Sequence, residues 1–210
     1  MSIIDKLASS LNRRDETPNV DLAKKIATKK DNSAIRELID NLSNKNKNIQ
    51  NDCIKVLYEI GEINASLIAP YSKEFINLLS NKNNRLQWGA MTALNTIVPE
   101  KPKDVHAALP KIMAAAQKGS VITNDYAVNI LVRLGSIKQY EENVFPLLNE
   151  LIFKSPVNQL PTYAEKALPY VNAKNKNAFL NTLNARLHEV AQDTKRKRLE
   201  KVIQKVNKMP

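Results

Sequence analysis

Tight turns and alternating strands are almost missing from this sequence. Only four glycines occur in 210 residues, and no Asn-Gly or Asp-Gly pair marks a hairpin. Apolar residues do not alternate with polar ones, as they would in a half-buried strand. These absences argue against a β-sheet protein and leave an all-α chain as the expected class.

Residues that carry catalysis or bind metal are equally scarce. The single cysteine, Cys53, excludes an internal disulfide framework, and the two histidines, His106 and His188, are far apart and show no metal-ligand spacing. The sequence contains no glycine-rich phosphate loop and no catalytic constellation. We therefore expect no metal, no cofactor and no enzymatic activity, and we interpret Cys53 as a small core residue.

Long apolar runs are also missing. No stretch approaches the roughly 20 apolar residues that a helix needs to cross a bilayer, so we expect no membrane span. The first residues, MSIIDKLASSLNRRDET, include acids and lack the apolar core of a signal peptide. These features predict a cytoplasmic protein, which we expect to be a monomer.

A pattern that recurs every 37 residues is the main positive feature of the chain. The string LSNKN occurs at Leu42–Asn46 and again at Leu79–Asn83. A small residue, followed by larger apolar residues four and seven positions later, forms one stripe of a helix. Four stripes at one period predict a stacked array of helix pairs. Their residues are Cys53, Leu57 and Ile60; Ala90, Leu94 and Ile97; Ala127, Leu131 and Leu134; and Ala164, Leu168 and Val171.

The predicted helices fill one domain that spans residues 1–210. Residues 1–30 form an N-terminal cap with a short amphipathic helix over 2–11, and residues 174–210 form a basic C-terminal cap. Between the caps, the repeats occupy residues 33–171. The predicted pairs are 33–43 with 47–60, 66–80 with 84–98, 103–117 with 121–134, and 141–154 with 159–171; the last cap holds helices over 175–192 and 194–208.

Prolines and glycines refine these boundaries. We expect Pro70, Pro110 and Pro146 to kink the first helices of their units, because an internal proline removes a backbone hydrogen bond. Gly61 and Gly135 follow second helices, where a left-handed residue is common. We therefore predict a left-handed conformation at both glycines.

The segment LLSNKNNRLQWGAMTAL at Leu78–Leu94 resembles a HEAT repeat without a gap. In that pattern two leucines end one helix, and a valine, an alanine pair and a leucine follow in the next. Leu86 takes the place of the valine, Gly89 and Ala90 that of the alanine pair, and Leu94 that of the leucine. The likeness extends over residues 33–171. It implies an armadillo-like α-solenoid of about four HEAT-like helix pairs with N- and C-terminal capping helices.

The ladder of charged residues that joins successive units in many HEAT proteins is absent from this sequence. Amides stand where that family has aspartate, and amides or proline stand where it has arginine. We expect the side-chain amides of Gln50 and Gln87 to replace the ladder in part. The first set is Asn44, Asn46, Asn81 and Asn83; the second is Gln50, Gln87, Asn124 and Pro161.

The resemblance also implies that the second helices line a concave groove open to a partner. Trp88 is either a binding anchor there or a residue packed against a neighbouring helix. Asp125 either accepts a hydrogen bond from the partner or is a helix N-terminal acid favoured by the dipole. The full predicted groove set is Asn51, Lys55, Trp88, Thr92, Asp125, Asn129, Arg133, Thr162 and Lys166.

Positive charge is concentrated at the C-terminus. Of the net charge of +11, residues 174–210 contribute ten basic residues against three acids, whereas residues 51–173 are nearly neutral. The basic run is either a solvated helix face, a contact for nucleic-acid phosphates, a surface for an acidic protein or a membrane, or a localisation signal. Its residues are Lys195, Arg196, Lys197, Arg198, Lys201 and Lys205.

Two classes of function follow from these observations. The first is a non-enzymatic interaction scaffold or adaptor whose groove binds a protein or peptide. The second is a HEAT-like nucleic-acid-binding protein that uses the basic C-terminal helix pair. HEAT-like DNA glycosylases use a basic groove with several aromatics, so the single Trp88 and the nearly neutral repeats argue against that activity.

Overall fold

A computed structural model describes residues 2–209, so residues 1 and 210 of the predicted domain lie outside the described residues. Across the described range the chain forms helices and no β-strand, and the all-α prediction is confirmed. The α-helices are α1 (Thr17–Lys29), α2 (Asn32–Asp40), α3 (Lys47–Ile63), α4 (Ser72–Leu78), α5 (Asn84–Ile97), α6 (Pro102–Ala107), α7 (Leu109–Lys118), α8 (Val121–Gly135), α9 (Glu141–Lys154), α10 (Leu160–Ala167), α11 (Lys176–Leu187) and α12 (Asp193–Asn207). Short 3-10 helices occur at Ile4–Lys6, Asn41–Ser43, Ala65–Leu67, Ala69–Tyr71 and Leu168–Tyr170.

The chain divides into two compact units, Met1–Ala127 and Val128–Pro210. Helices α1 to α7 belong to the first unit and α9 to α12 to the second, while the division falls within α8. In the first unit α3 packs against both α1 and α5, and in the second α12 packs against both α10 and α11. The single domain over residues 1–210 stays a prediction.

The repeat positions form the core of each unit. Cys53, Ala90, Ala127 and Ala164 are all completely buried, as the 37-residue pattern predicts. The larger positions Leu57, Leu94, Leu131, Ile60, Ile97 and Leu134 are also fully buried. Leu168 departs from the pattern, since α10 ends at Ala167 and Leu168 is half-buried in the following 3-10 turn.

Cys53 behaves as the small core residue that we expected. Burial, together with the negative charges of Asp52 and Glu37, raises the pKa of its thiol to about 12. The thiolate is the nucleophilic form of cysteine, so this thiol is inert at neutral pH in the folded chain.

Two glycines bring α3 and α5 close together. A Cβ atom on Gly61 would lie 2.3 Å from Thr96 Oγ1, and one on Gly89 would lie 2.6 Å from Ile54 Cγ1. The left-handed conformations predicted for Gly61 and Gly135 are wrong, because no glycine within residues 2–209 has positive φ. Gly61 lies inside α3 and Gly135 ends α8, so at Gly61 the missing side chain serves close packing between helices.

The prolines mark helix starts more often than kinks. Pro146 lies inside α9, and the kink predicted there stays a prediction. Pro110 stands in the first turn of α7, so the single helix predicted over 103–117 is divided into α6 and α7. Pro70 lies in the 3-10 turn before α4. The first turn of a helix tolerates proline because its N–H groups have no partner within the helix.

The N-terminal segment folds onto α1 to α3 with little helix of its own. The predicted helix over 2–11 is wrong, since only Ile4–Lys6 forms a 3-10 turn. Its apolar side chains are buried nevertheless, with Ile3 and Leu7 in the core, and Glu37 on α2 accepts a hydrogen bond from the backbone N–H of Ile3 at 3.1 Å. Tertiary contacts therefore override the local helical pattern in this segment.

Candidate partner-binding site

Side-chain amides join the first two repeats at the start of α3 and α5. Asn83 Nδ2 donates to Asn51 Oδ1 at 2.9 Å and to Gln50 Oε1 at 3.2 Å. Gln87 Nε2 donates to the Leu79 carbonyl oxygen at 2.8 Å. The amide of Gln50 thus joins the first two repeats, as expected, and Asn51 of the predicted groove takes part in the same contact. Gln87 bonds within its own repeat, so the link between repeats that we expected from it is not formed by this hydrogen bond.

Two aromatic rings and two cations lie together where α3 packs against α5, with Lys55 and Tyr58 buried and Arg85 and Trp88 half-buried. We call Lys55 and Tyr58 of α3 and Arg85 and Trp88 of α5 the α3–α5 face. The ring centroids of Tyr58 and Trp88 are 5.8 Å apart. Lys55 Nζ lies 5.0 Å from the Tyr58 ring, and the guanidinium carbon of Arg85 lies 4.9 Å from the Trp88 ring, within range for cation–π attraction.

The structure shows one of the two roles that the sequence left open for Trp88, packing against a neighbouring helix, and the role of binding anchor stays a prediction. It packs against Tyr58 of the neighbouring helix, and it is nevertheless half-buried, so part of the indole is accessible to solvent. Within each helix the cation and the aromatic ring are three residues apart, which puts them on one face.

A carboxylate from the N-terminal segment completes the cluster. Glu16, which immediately precedes α1, forms ion pairs with Lys55 Nζ at 3.0 Å and with Arg85. Lys55 also pairs with Glu59 Oε1 at 2.7 Å, one turn further along α3. Glu16 was not predicted from the sequence because it lies 69 positions from Arg85 and outside the repeat pattern.

The groups of the cluster stabilise one another in their charged forms. Burial alone would raise the pKa of Glu16, but hydrogen bonds from Lys55 and Arg85 hold it below its usual value. Burial would lower the pKa of Lys55, but bonds to Glu59 and Glu16 raise it above its usual range. Glu16 and Lys55 are therefore both charged at neutral pH.

The structure buries two of the predicted groove residues. Thr92 is 2% exposed, and its hydroxyl donates to the Trp88 carbonyl oxygen at 3.0 Å. Lys55 is 9% exposed, and its Nζ forms ion pairs with the carboxylates of Glu16 and Glu59. Every residue from Met91 to Val98 is buried, so this part of α5 has no open side on which Thr92 could be presented. Asp125, near the start of α8, is half-buried.

In the second unit the predicted groove residues link neighbouring helices. Lys166 Nζ of α10 donates to Asn129 Oδ1 of α8 at 2.7 Å, and the two residues are 37 positions apart. Thr162 Oγ1 accepts a hydrogen bond from Arg198 of α12 at 3.0 Å. Arg133 is exposed near the end of α8.

The basic run of α12 divides into structural and exposed residues. Arg198 pairs with Glu165 of α10 at 2.6 Å, Lys195 Nζ donates to Asn158 Oδ1 at 3.0 Å, and Arg196 Nε donates to a backbone carbonyl at 3.0 Å. These three residues hold α12 in place. The exposed basic residues lie one helical turn apart, and we call them the lysine row: Lys197, Lys201 and Lys205.

No cluster of three or more potential metal ligands occurs in the part of the chain that the structure describes. Over the same residues, no helix has the length and apolar character needed to cross a membrane.

Solved structures resemble this chain over most of its length. An engineered protein is 16% identical, with a TM-score of 0.64, and the match covers 99% of this chain and 97% of that one. A computationally designed armadillo repeat protein for modular peptide recognition is 14% identical, with a TM-score of 0.65 and coverage of 96% and 97%. A designed armadillo repeat protein in complex with peptide (KR)4 is 16% identical, with a TM-score of 0.66 and coverage of 89% and 86%. The chain has an armadillo-like α-solenoid fold.

The armadillo-like fold confirms the solenoid that the repeat predicted. No family model matches the sequence, and no curated protein matches it. At identities of 14 to 16% the solved structures establish the fold of the chain and nothing finer.

Proposed function

We propose that this armadillo-like chain is a non-enzymatic scaffold that binds a peptide or protein segment on its α3–α5 face. The observation that carries the proposal is the solvent-accessible part of Trp88, whose ring packs against Tyr58 and Arg85. Tryptophan, tyrosine and arginine dominate the energetically important residues of protein interfaces. Holding them in place before binding lowers the entropy cost of association.

The solved structures support a peptide as the partner. One is described as designed for modular peptide recognition, and another is a complex with the peptide (KR)4. Of the other groove residues that the sequence suggested, Asn51 and Asp125 belong to the same unit as the α3–α5 face and are half-buried, whereas Thr92 is buried. The groove residues of the second unit stay a separate prediction: Asn129, Arg133, Thr162 and Lys166.

Removing the Trp88 ring is the direct test of the scaffold proposal. We expect Trp88→Ala to weaken binding about tenfold or more, because interface tryptophans commonly contribute about 2 kcal/mol or more. An array of blocked decapeptides of acidic, basic and neutral composition would identify a binding peptide. Fluorescence anisotropy of that labelled peptide would then give its dissociation constant for each variant.

The matched control for this test is Phe153→Ala, which removes an aromatic ring that is 50% exposed on α9. It should leave the dissociation constant unchanged. Unchanged binding by Trp88→Ala, or equal losses in both variants, would remove the α3–α5 face from the proposal. Circular dichroism melting curves would establish that both variants are folded.

A second candidate function is binding to nucleic-acid phosphates through the lysine row. Lys197, Lys201 and Lys205 are exposed on one face of α12, whereas the other basic residues of that helix are hydrogen-bonded to protein groups. Lysines one turn apart match the polyanionic character of a nucleic-acid backbone, although α12 has no aromatic residue to stack on bases.

Salt dependence distinguishes this second function from the scaffold. If the lysine row contacts phosphates, changing all three lysines to Gln should reduce the slope of log affinity against log salt by about 2.7, or 0.9 per contact. The control changes the exposed residues Lys24, Lys25 and Lys29 of α1 to Gln, with the same loss of charge. Equal losses in the two variants, or no retention of duplex DNA at about 50 mM salt, would exclude a specific role for the row.

A further inference from the structure

We propose that Glu16 occupies a carboxylate-binding site in the free chain, and that an acidic side chain of the partner replaces it on binding. This inference rests on the proposed scaffold function and specifies the chemistry of its partner. Glu16 belongs to the segment before α1, whereas the groups that bind it belong to α3 and α5.

Glu16 is the replaceable member of the cluster. Its side chain is 43% exposed, compared with 11% for Lys55 and 27% for Glu59. The residues on its N-terminal side, Arg13 to Asp15, are all exposed. The carboxylate can therefore leave without opening the core.

The charges of the cluster favour another anion in its place. When Glu16 leaves, Lys55 keeps Glu59, but Arg85 loses the one carboxylate with which it pairs among the described residues. Buried Lys55 and half-buried Arg85 would then have one carboxylate between them, that of Glu59. An incoming carboxylate restores the balance and accepts the same hydrogen bonds, and charge-assisted bonds of this kind are stronger than neutral ones.

A cavity of about 500 Å³ next to Glu16 offers room for the rest of an acidic segment. Arg14, Arg85 and Ser9 are among the residues that line it. Arg14 is exposed, and its guanidinium is available to an incoming carboxylate beside that of Arg85.

The other acids of the cavity already have internal partners. Asp15 pairs with Arg13 at 2.8 Å. Asp52 accepts hydrogen bonds from Ser9 N at 2.7 Å and from Asn19 Nδ2 at 2.8 Å. They do not compete for the cations of the α3–α5 face.

The same groups disfavour a basic partner. The peptide in the solved armadillo complex is (KR)4, whose side chains are cations. On this chain such side chains would approach Lys55 and Arg85 and would be repelled once Glu16 had left. The α3–α5 face therefore fits an acidic segment, the opposite charge to that peptide.

Glu16 is part of the same chain as the site and competes with the partner's carboxylate for Lys55 and Arg85. A partner binds only the fraction of molecules in which the site is open, so its apparent dissociation constant rises by the inverse of that fraction. If Glu16 holds the site in about nine molecules of ten, removing its charge should tighten binding about tenfold.

The test uses the full chain and a blocked decapeptide of alternating Glu and Ser, with the fluorescence of Trp88, the single tryptophan, as the readout. We expect Glu16→Gln to bind about tenfold more tightly than the wild type. The control Asp21→Asn removes the same charge from an exposed site on α1 and should bind like the wild type. Adding Arg85→Gln to Glu16→Gln should abolish the gain.

The outcomes separate this inference from the scaffold proposal. Equal affinities for the wild type and Glu16→Gln would overturn the role of Glu16, and equal binding of Lys-Ser or Gln-Ser peptides would overturn the acidic partner, while the scaffold would stand. Failure of every peptide on every variant would reject both. If Glu16→Gln bound a ten-nucleotide single strand of DNA more tightly than the wild type does, but bound the peptide no more tightly, the face would be assigned to nucleic acid and the proposal would be overturned.

Folding of the variant is checked by circular dichroism. Should Glu16→Gln not fold, Glu16→Asp keeps the charge but shortens the side chain by one methylene. It should give a gain smaller than tenfold, and no gain would overturn the proposal.

Discussion

Leu131→Ala is expected to lower the free energy of unfolding by about 3 kcal/mol, because it leaves a cavity in a packed core. Leu131 is completely buried in α8, four residues after Ala127, which is also completely buried. Urea unfolding followed by far-ultraviolet circular dichroism measures this loss as a shift of the midpoint at constant slope.

Leu168→Ala is the matched control, since Leu168 stands 37 residues later at the equivalent repeat position. The sequence alone predicts equal losses at the two sites. Leu168 is half-buried in a 3-10 turn, so less apolar surface is lost and we expect about 1 kcal/mol. A loss at Leu168 that equals or exceeds the loss at Leu131 would contradict the different burial of the two leucines.

Replacing Arg186 should lower the free energy of unfolding by a comparable amount, through a different mechanism. Arg186 of α11 is 8% exposed, and its Nη1 donates to the carbonyl oxygens of Phe153 at 3.1 Å and Ser155 at 2.6 Å. Its Nη2 pairs with Glu189 at 2.6 Å. The guanidinium thus satisfies backbone acceptors at the C-terminus of α9, where a positive charge also complements the helix dipole.

We expect Arg186→Met to cost about 3 kcal/mol, since the buried carbonyl groups would lose their donors while the apolar volume is kept. Arg186→Lys should recover only part of the loss, because an ammonium lacks the planar fork that reaches several acceptors. Lys154→Met removes an exposed ion pair with Glu150 at the same end of α9 and should change stability by less than about 0.5 kcal/mol. Urea titration of the three variants makes the comparison, and similar costs for Arg186→Met and Lys154→Met would show that Arg186 is dispensable.

The core of this fold was predictable because stacked helices place equivalent buried residues at a constant interval in the sequence. Buried positions 53, 90, 127 and 164 hold small residues since neighbouring helices approach closely there, and the sequence displays that requirement at a constant interval. The bounds of α3, α5, α8 and α9 follow the predicted ranges within a few residues. Local pattern and tertiary packing agree in these segments.

The candidate site was less predictable because it depends on contacts between distant segments. Trp88 was identified from its repeat position, but Glu16 lies outside the repeats and reaches Arg85 only in the folded chain. The burial of Thr92 depends on how many neighbours surround α5, which helical periodicity does not specify. Likewise, residues 2–11 have an amphipathic pattern, yet they pack on α1 to α3 largely without helix.

The buried thiol of Cys53 in α3 can report how often the folded chain opens locally. Because Cys53 is the single cysteine and is inaccessible in the folded chain, an alkylating reagent can reach it only when the surrounding helices separate. The rate of its modification therefore measures how often the first unit opens, without any added label.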